Sequence, residues 1–278
     1  MLKNLLVHLP SERPLRPVID CAVSLAASHA AHLDAVAVGY ESVSVGLVAD
    51  GGSAVAAVMD IERGRALERA NAAIAVFEPE ARRAGIEFGT RALSAIPAEA
   101  AETVTALARL ADLTVVLQPE PPRSGFDNYI PQEVLFYSGG PVLMVPYIHK
   151  GPFDASLVGI AWDGSRLAAR AVRDAMPFLT AAKIVTVIAI NEDRDAAGEA
   201  SSKQLVAQLA RRGIHARTER LTTETSNIHN AILSSAADNS IGLLVMGGYG
   251  HSRLKEWVLG GVTQVIFESM TIPTLMSH

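Results

Sequence analysis

The chain has 278 residues, of which 49% are hydrophobic and 19% charged, and its formal net charge at pH 7 is -5. This length suits two domains of ordinary size or one large α/β domain, and the apolar content is sufficient for a sizeable core. The net negative charge excludes a phosphate-neutralising surface over most of the molecule, so nucleic-acid binding is not expected.

No membrane span or export signal is expected. The short apolar run near the first residue is followed by Pro10 and a charged segment, not by a long hydrophobic region and a cleavage site. No apolar stretch reaches the about 18 residues of a membrane span, because charges, Gly or Pro interrupt each one. Cys21 is the sole cysteine, so an intrachain disulfide is excluded and a buried structural role is expected. We therefore expect a soluble cytoplasmic protein.

Short apolar runs alternate along the chain with longer segments of helical periodicity, which predicts parallel strands covered on both faces by helices. In chain order, the first half has predicted strands at 4–9, 34–40, 87–92, 114–117 and 142–145, and helices at 16–30, 60–84, 98–110 and 131–137. The second half has strands at 157–161, 183–190, 216–221, 243–246 and 273–276, and helices at 166–180, 199–212, 225–239 and 262–269. Residues 41–57 are predicted to form a loop, with a lid as the alternative.

The two halves carry the same signals in the same order. Gly85 and Gly213 each stand where a helix C-cap is expected. Residues 112–117 match 241–246, and residues 140–145 match 272–277. The fold class predicted is therefore α/β, with two tandem, open, parallel five-stranded sheets and helices on both faces. We place one domain at residues 1–150 and the other at 151–278, joined by a short linker around Gly151-Pro152.

Only the second half has a promising ligand loop. In an open parallel sheet, ligands bind beyond the carboxyl ends of the strands where the strand order reverses. Asp163 follows the first strand of this half, and a glycine-rich stretch from Gly247 to Thr263 follows the fourth. Glycines let backbone N–H groups approach an anion, and the helix opened by Val262 can hold phosphate at its N-terminus.

This stretch resembles the nucleotide-binding signature of the universal stress protein family, in which Gly, two residues, Gly, nine residues, Gly and Ser or Thr follow the fourth strand. The resemblance covers nearly the whole chain, in the tandem two-domain form of the family. It departs from the signature where a glycine replaces the hydroxyl residue, a loss for which Thr263 could compensate. The resemblance implies binding of ATP or another adenine nucleotide, with or without Mg²⁺, by Asp163, Gly247, Gly250, Gly260, Gly261, Val262 and Thr263.

Asp163 has a second interpretation, because an Asp-Gly-Ser sequence also suits a turn or a helix cap. Adenine recognition and capping stay open as alternatives. In the first half, His8 and Pro10 stand where an acidic residue would be needed, and the glycine loop is replaced by the Pro-rich residues 118–130. We expect no nucleotide there, and we expect His8 to be hydrogen-bonded and not a ligand.

The resemblance implies a stress-response regulatory protein that signals through its conformation or through protein partners yet to be identified. Two alternatives stay open, a structural or interaction module that binds no nucleotide and a weak ATPase. No catalytic residue or metal site is predicted, since no nucleophile, base or metal-ligand spacing stands out. The family precedent also implies that the last strands of the two halves pair within one chain and imitate a homodimer. A homodimer of two whole chains is a further possibility, in addition to this pairing within one chain.

Overall fold

The computed structural model describes residues 2–41, 52–120, 125–192, 199–248, 266–267 and 269–278. In the first half the elements are β1 (Asn4–Leu9), α1 (Arg16–His29), β2 (His32–Tyr40), α2 (Gly52–Ala84), β3 (Phe88–Ala95), α3 (Pro97–Ala108), β4 (Leu113–Leu117), a 3₁₀ turn (Phe126–Asn128), α4 (Ile130–Tyr137) and β5 (Val142–Val145). In the second half they are β6 (Leu157–Ala161), α5 (Arg166–Asp174), α6 (Met176–Leu179), β7 (Ile184–Ile190), α7 (Ser202–Ala210), β8 (Ala216–Leu221), a 3₁₀ turn (Thr225–Asn227), α8 (Ile228–Asp238), β9 (Leu243–Gly247) and β10 (Thr274–Ser277).

The strands form one mostly parallel sheet, which confirms the predicted α/β class. Its order is β3-β2-β1-β4-β5-β10-β9-β6-β7-β8, so the first five strands and the last five are arranged alike around the centre. The two predicted five-stranded sheets are joined into one, because β5 and β10 pair antiparallel at the centre, with Leu143 opposite Leu275; this confirms the pairing of the last strands that the family resemblance implied. This pairing removes two sheet edges that would otherwise carry unpaired backbone groups. The expected division near Gly151 lies between β5 and β6, and the domain limits stay a prediction.

Strand register relates the two halves residue by residue. Leu5 lies beside Leu33 and Leu113 in the first half, as Val158 lies beside Val185 and Leu243 in the second. Leu113 is therefore equivalent to Leu243, and the sequence match of 112–117 with 241–246 is one residue out of register. The match of 140–145 with 272–277 is confirmed, since Val142 and Thr274 occupy equivalent positions beside β4 and β9.

Three predicted helices differ from the structure. Helix α2 begins at Gly52, so residues 52–57 are helical and not loop, while residues 42–51 of the expected insertion lie outside the described residues. The helix predicted at 166–180 is broken after α5, because Pro177 at the start of α6 has no N–H to continue it. The start of the helix predicted at 225–239 is a 3₁₀ turn. Of the helix predicted at 262–269, residues 266, 267 and 269 are described, and they are helical.

Gly85 and Gly213 lie just after helices α2 and α7. Gly85 has φ +66° and Gly213 has φ +75°, the left-handed conformation that glycine adopts at low cost. After each glycine, an isoleucine N–H bonds back to the helix, Ile86 to Ala81 and Ile214 to Leu209. Gly85 directly follows α2 and confirms the prediction there, whereas the C-cap of α7 is Arg211 and Gly213 closes the turn that follows it.

Two hydrophobic clusters cover the opposite faces of the sheet. One contains Leu5, Leu33 and Leu275 together with Cys21 from α1, and the other contains Leu6 and residues from α3, α4 and α8. Successive strand residues point to opposite faces, which explains why neighbours such as Leu5 and Leu6 belong to different clusters. Each cluster draws on both halves of the chain, so the core is continuous across the β5–β10 pairing.

Over the described part of the chain, no helix has both the length and the apolar character that a membrane span needs. Nor do the described residues bring together three or more His, Cys, Asp or Glu side chains in a group that could hold a metal ion.

Candidate nucleotide site

The predicted nucleotide edge lies at the carboxyl ends of β6 and β9. These strands are neighbours in the sheet, and the order of the second half reverses between them. Such a reversal leaves a crevice, because the connections after the two strands depart toward opposite faces. Asp163 comes two residues after β6 and Gly247 ends β9, and the two strands pair in parallel at Ile160 and Val245. The structure therefore brings these two predicted site residues to one edge.

Asp163 shapes the turn between β6 and α5. Its Oδ1 accepts the backbone N–H of Ser165 at 2.9 Å, and Gly164 between them has φ +72°. Ser165 is the N-cap of α5, where its Oγ accepts the N–H of Ala168 at 3.1 Å. The turn-forming interpretation of Asp163 is confirmed. The residue is exposed, and within the described residues only its Oδ1 has a hydrogen-bond partner.

Gly247 allows β9 to approach the start of α5. A Cβ added here would lie 2.6 Å from the backbone nitrogen of Ala168 and 2.7 Å from the carbonyl carbon of Leu167. Real Cβ atoms do not make such contacts with backbone, so any larger residue would push α5 away from the sheet. Gly248 continues along the edge, its N–H donating to the carbonyl of Ser277 at 2.9 Å.

The other predicted site residues, Gly250, Gly260, Gly261, Val262 and Thr263, lie outside the described residues. Their assignment to a phosphate loop stays a prediction.

Sequence reasoning missed a polar cluster at the ends of β7 and β8. Glu192 accepts hydrogen bonds from the backbone and side chain of Ser202 and from Nε of Arg220, the last at 3.0 Å. Burial tends to raise the pKa of Glu192, but these hydrogen bonds outweigh it and lower that pKa. The cluster ties the start of α7 to β8. Spacings of 10 and 28 residues are not a recognisable motif, so only the fold could reveal it.

Trp162 is held in place in the turn between β6 and α5. Its indole N–H donates to the carbonyl of Ala200 at 2.8 Å. The ring lines a groove of about 230 Å³ between α5 and α7. The hydrogen bond to this backbone carbonyl sets the position of the ring beside the turn.

The equivalent edge of the first half is covered by the 3₁₀ turn at Phe126–Asn128. Asp127 accepts hydrogen bonds from the hydroxyl of Tyr40 at 2.8 Å and from the backbone N–H of Glu12 at 3.0 Å. The ring of Phe126 packs against Tyr40 with 5.3 Å between centroids.

Arg13 also holds this turn. It donates to the carbonyl of Gln118 at 2.6 Å and to Oδ1 of Asn128 at 3.0 Å. The turn is thus bound to residues at the ends of β1, β2 and β4.

His8 and Asp127 form the buried centre of this arrangement. Nε2 of His8 lies 3.7 Å from Oδ1 of Asp127 and makes no hydrogen bond, so the expectation of a hydrogen-bonded His8 is wrong for this atom. Burial, aided by the positive charge of Arg13, lowers the pKa of His8 to about 3. Burial also raises the pKa of Asp127 to about 6, against the opposing effect of its hydrogen bonds. At neutral pH the histidine is therefore uncharged and the carboxyl group mostly ionised.

Comparison with known proteins places the second half in a family. A sequence model described as the universal stress protein family matches residues 157–278, which include β6 and the whole candidate edge. The second half is a universal stress protein domain. A universal stress protein of Synechocystis sp. is 34% identical over 92 residues, a segment that spans 33% of this chain and 30% of that curated relative.

Solved structures extend the likeness in fold to the whole chain. A universal stress protein of Archaeoglobus fulgidus superposes with a TM-score of 0.69 at 17% identity, over 98% of this chain and 95% of that one. A second protein, described as a putative universal stress protein of Pseudomonas aeruginosa, gives a TM-score of 0.60 at 16% identity, over 99% of this chain and 93% of that one. At these identities the comparison establishes the fold alone. The first half therefore shares the architecture of the universal stress protein domain that follows it.

Proposed function

We propose that the second half binds ATP or another adenine nucleotide, with or without Mg²⁺, and that the chain acts in the cytoplasm as a stress-response regulator. The observation that carries the proposal is the arrival of Asp163 and Gly247 at one edge, where the strand order of a universal stress protein domain reverses. The exposed carboxylate of Asp163, oriented by its hydrogen bond to the Ser165 N–H, is suited to accept a hydrogen bond from the exocyclic amine of an adenine. Gly250, Gly260, Gly261, Val262 and Thr263 would surround the phosphates.

Signalling, in this proposal, comes from conformation and partner contacts and not from chemistry. The exposed Asp163 carboxylate has no base or nucleophile among its hydrogen-bond partners, which are limited in the described chain to the Ser165 N–H. Weak ATP hydrolysis remains an outcome of the test. The first half supports the second through the shared sheet, since its own corresponding edge is occupied by the turn that carries Asp127.

The proposal predicts that the dialysed chain binds ATP in calorimetry and melts at a higher temperature when ATP is present. Asp163→Ala should weaken binding about tenfold, since a hydrogen bond to a charged group contributes roughly 1.5–3 kcal/mol. Gly250→Val should weaken it by closing the predicted loop. Asp154→Ala is the matched control, because Asp154 accepts the Ser156 N–H at 2.8 Å in the same kind of turn, outside the candidate edge.

Three results are decisive. Absence of both heat and thermal protection would reject nucleotide binding and favour a structural or interaction module. Equal weakening by the Asp163 and Asp154 variants would show that turn stability, not adenine contact, is being measured. Phosphate release that follows the protein and falls with Asp163→Ala would identify a weak ATPase.

A further inference from the structure

A second cavity lies at the opposite, amino-terminal edge of the strands in the first half. It has a volume of about 340 Å³, with a floor made by β1, β2 and β3 and a wall made by the end of α3. Asp34 and Arg91 contribute polar groups to it, and Leu6 and Leu107 contribute apolar ones. Leu110, on the wall, is 82% exposed. The cavity is remote from the candidate nucleotide edge, which belongs to the other half and to the carboxyl ends of its strands.

The second half fills the same position with its own side chain. Strand register makes Gly89 equivalent to Arg217 and Asp34 equivalent to Thr186, because each pair occupies the same place in β2–β3 and β7–β8. Arg217 donates from Nε to the hydroxyl of Thr186 at 3.2 Å and from Nη2 to Oδ1 of Asn239 at 2.5 Å. Its aliphatic stem thus spans from β8 across β7 to the C-cap of α8.

In the first half this bridge is missing. Gly89 has no side chain, and Arg109, which caps α3 as Asn239 caps α8, donates instead to the carbonyl of Tyr137 at 3.3 Å. Asp34 replaces the neutral threonine. Its carboxylate lies over Gly89, where an added Cβ would be 2.3 Å from Oδ1. The side chain of Asp34 is 61% exposed, and among the described residues its partner is Nε2 of His32, 3.1 Å from Oδ1.

We propose that this cavity binds a small organic cation of the alkylguanidinium class, seated as the side chain of Arg217 is seated in the second half. Asp34 would receive the guanidinium, a stronger partner than the threonine hydroxyl because it is charged. The carbonyl end of α3 adds partial negative charge, and Leu107 and Leu110 would cover the stem. Arg91 opposes a cation, but it is exposed, so its guanidinium can turn to solvent.

The test is calorimetric titration of the full chain with n-butylguanidinium, using n-butylurea as the neutral probe of similar shape. Saturable binding with a dissociation constant of about 1 mM or below is expected for the guanidinium and not for the urea. Asp34→Asn should weaken binding about tenfold or more, because it removes the charge and keeps the shape. Asp60→Asn, an equal charge change at an exposed site on α2, should leave binding unchanged.

A double variant, Asp34→Thr with Gly89→Arg, rebuilds the arrangement of the second half and should abolish binding while the chain stays folded by circular dichroism. If that variant unfolds, Asp34→Asn alone decides the matter. Equal binding of both probes, binding insensitive to Asp34→Asn, or no saturable binding of the guanidinium would each overturn the proposal. ATP does not enter this experiment, so its result is independent of the proposed nucleotide function.

Discussion

At the scale of single residues, burial gives the two halves different chemistry at the same edge. Asp163 is exposed and uses one oxygen in a turn, whereas Asp127 is 3% exposed and sits beside an uncharged His8. Solvent hydrates the carboxylate of Asp163, whereas burial keeps water from Asp127 and destabilises its ionised form. Burial therefore decides the role of an acidic residue at this edge. The exposed Asp163 is accessible to a ligand, and the buried Asp127 is not.

The buried pair predicts an unusual dependence of folding stability on pH. Asp127 titrates near 6 when folded and near 3.8 when unfolded, so its contribution to stability is complete below pH 3.8 and is lost as pH rises through 6. His8 titrates near 3 when folded and near 6.5 when unfolded, so its contribution is lost as pH falls through that range. Between about pH 4 and 6 the two slopes have opposite signs and nearly cancel.

Urea unfolding at pH 4, 5 and 6 separates the two contributions. Relative to wild type, His8→Leu should lose stability as pH rises, by about 1.4 kcal/mol per pH unit at most, because Asp127 then titrates alone. Asp127→Asn should gain stability over the same range. Burial, and after it the charge of Asp127, raises the pKa of Glu12, so wild type and the His8→Leu variant share the whole Glu12 contribution and the Asp127→Asn variant keeps only the part due to burial. Two variants with the pH profile of wild type would show that the pair does not titrate in this way.

At the scale of elements, short helices depend on their ends. Helix α5 has nine residues, so a large share of its backbone N–H groups lies in the first turn, without partners inside the helix. Ser165 satisfies one of them, and the Asp163 turn places Ser165 correctly. Gly247 packs against Leu167 and Ala168 in the first turn of α5, so the N-cap of α5 lies next to the candidate nucleotide edge.

Ser165→Ala should therefore lower the free energy of unfolding by about 1 kcal/mol, the usual effect of losing an N-cap. Ser201→Ala at α7 should cost less, since the corresponding hydrogen bond is longer, at 3.4 Å. Ser28→Ala is the control, because its hydroxyl bonds to the carbonyl of Leu25 within α1 and caps no N-terminus. Chemical denaturation of the three variants measures these differences. Equal losses for Ser165 and Ser28 would contradict the capping role.

At the scale of the whole molecule, the antiparallel pairing of β5 and β10 makes the halves one sheet. Strands β1 and β6 lie inside each half, β5 and β10 lie at the centre, and β3 and β8 form the free edges. Both hydrophobic clusters cross the centre. The halves should therefore unfold together and not one after the other.

Native-state hydrogen exchange tests this expectation. The amides of Leu143 and Leu275 should exchange as slowly as those of Val7 and Ile160, because all four require global unfolding. Amides of β3 and β8 should exchange faster, since these strands are at the edges. Faster exchange in β5 and β10 than in β1 and β6 would mean that the halves separate before they unfold.

Much of the fold was predictable because its signals are local. Apolar runs fix strands such as β1, β5 and β6, whose predicted limits match the structure, and Gly85 and Gly213 announce helix ends through their backbone freedom. The errors occur where distant contacts decide. The early start of α2, the break after α5 and the one-residue register shift at β4 and β9 depend on packing against the sheet and on strand pairing.

The candidate site divides in the same way. By itself, the sequence determined the repeated order of elements, the α/β class and the residues with turn or anion-binding chemistry, because periodicity and glycine placement act over a few residues. Tertiary structure alone decided the antiparallel register of β5 and β10, the packing of Gly247 against the start of α5, and the burial of His8 beside Asp127. Those outcomes depend on contacts between residues far apart in the chain, and no short pattern records the burial and proximity that such contacts create.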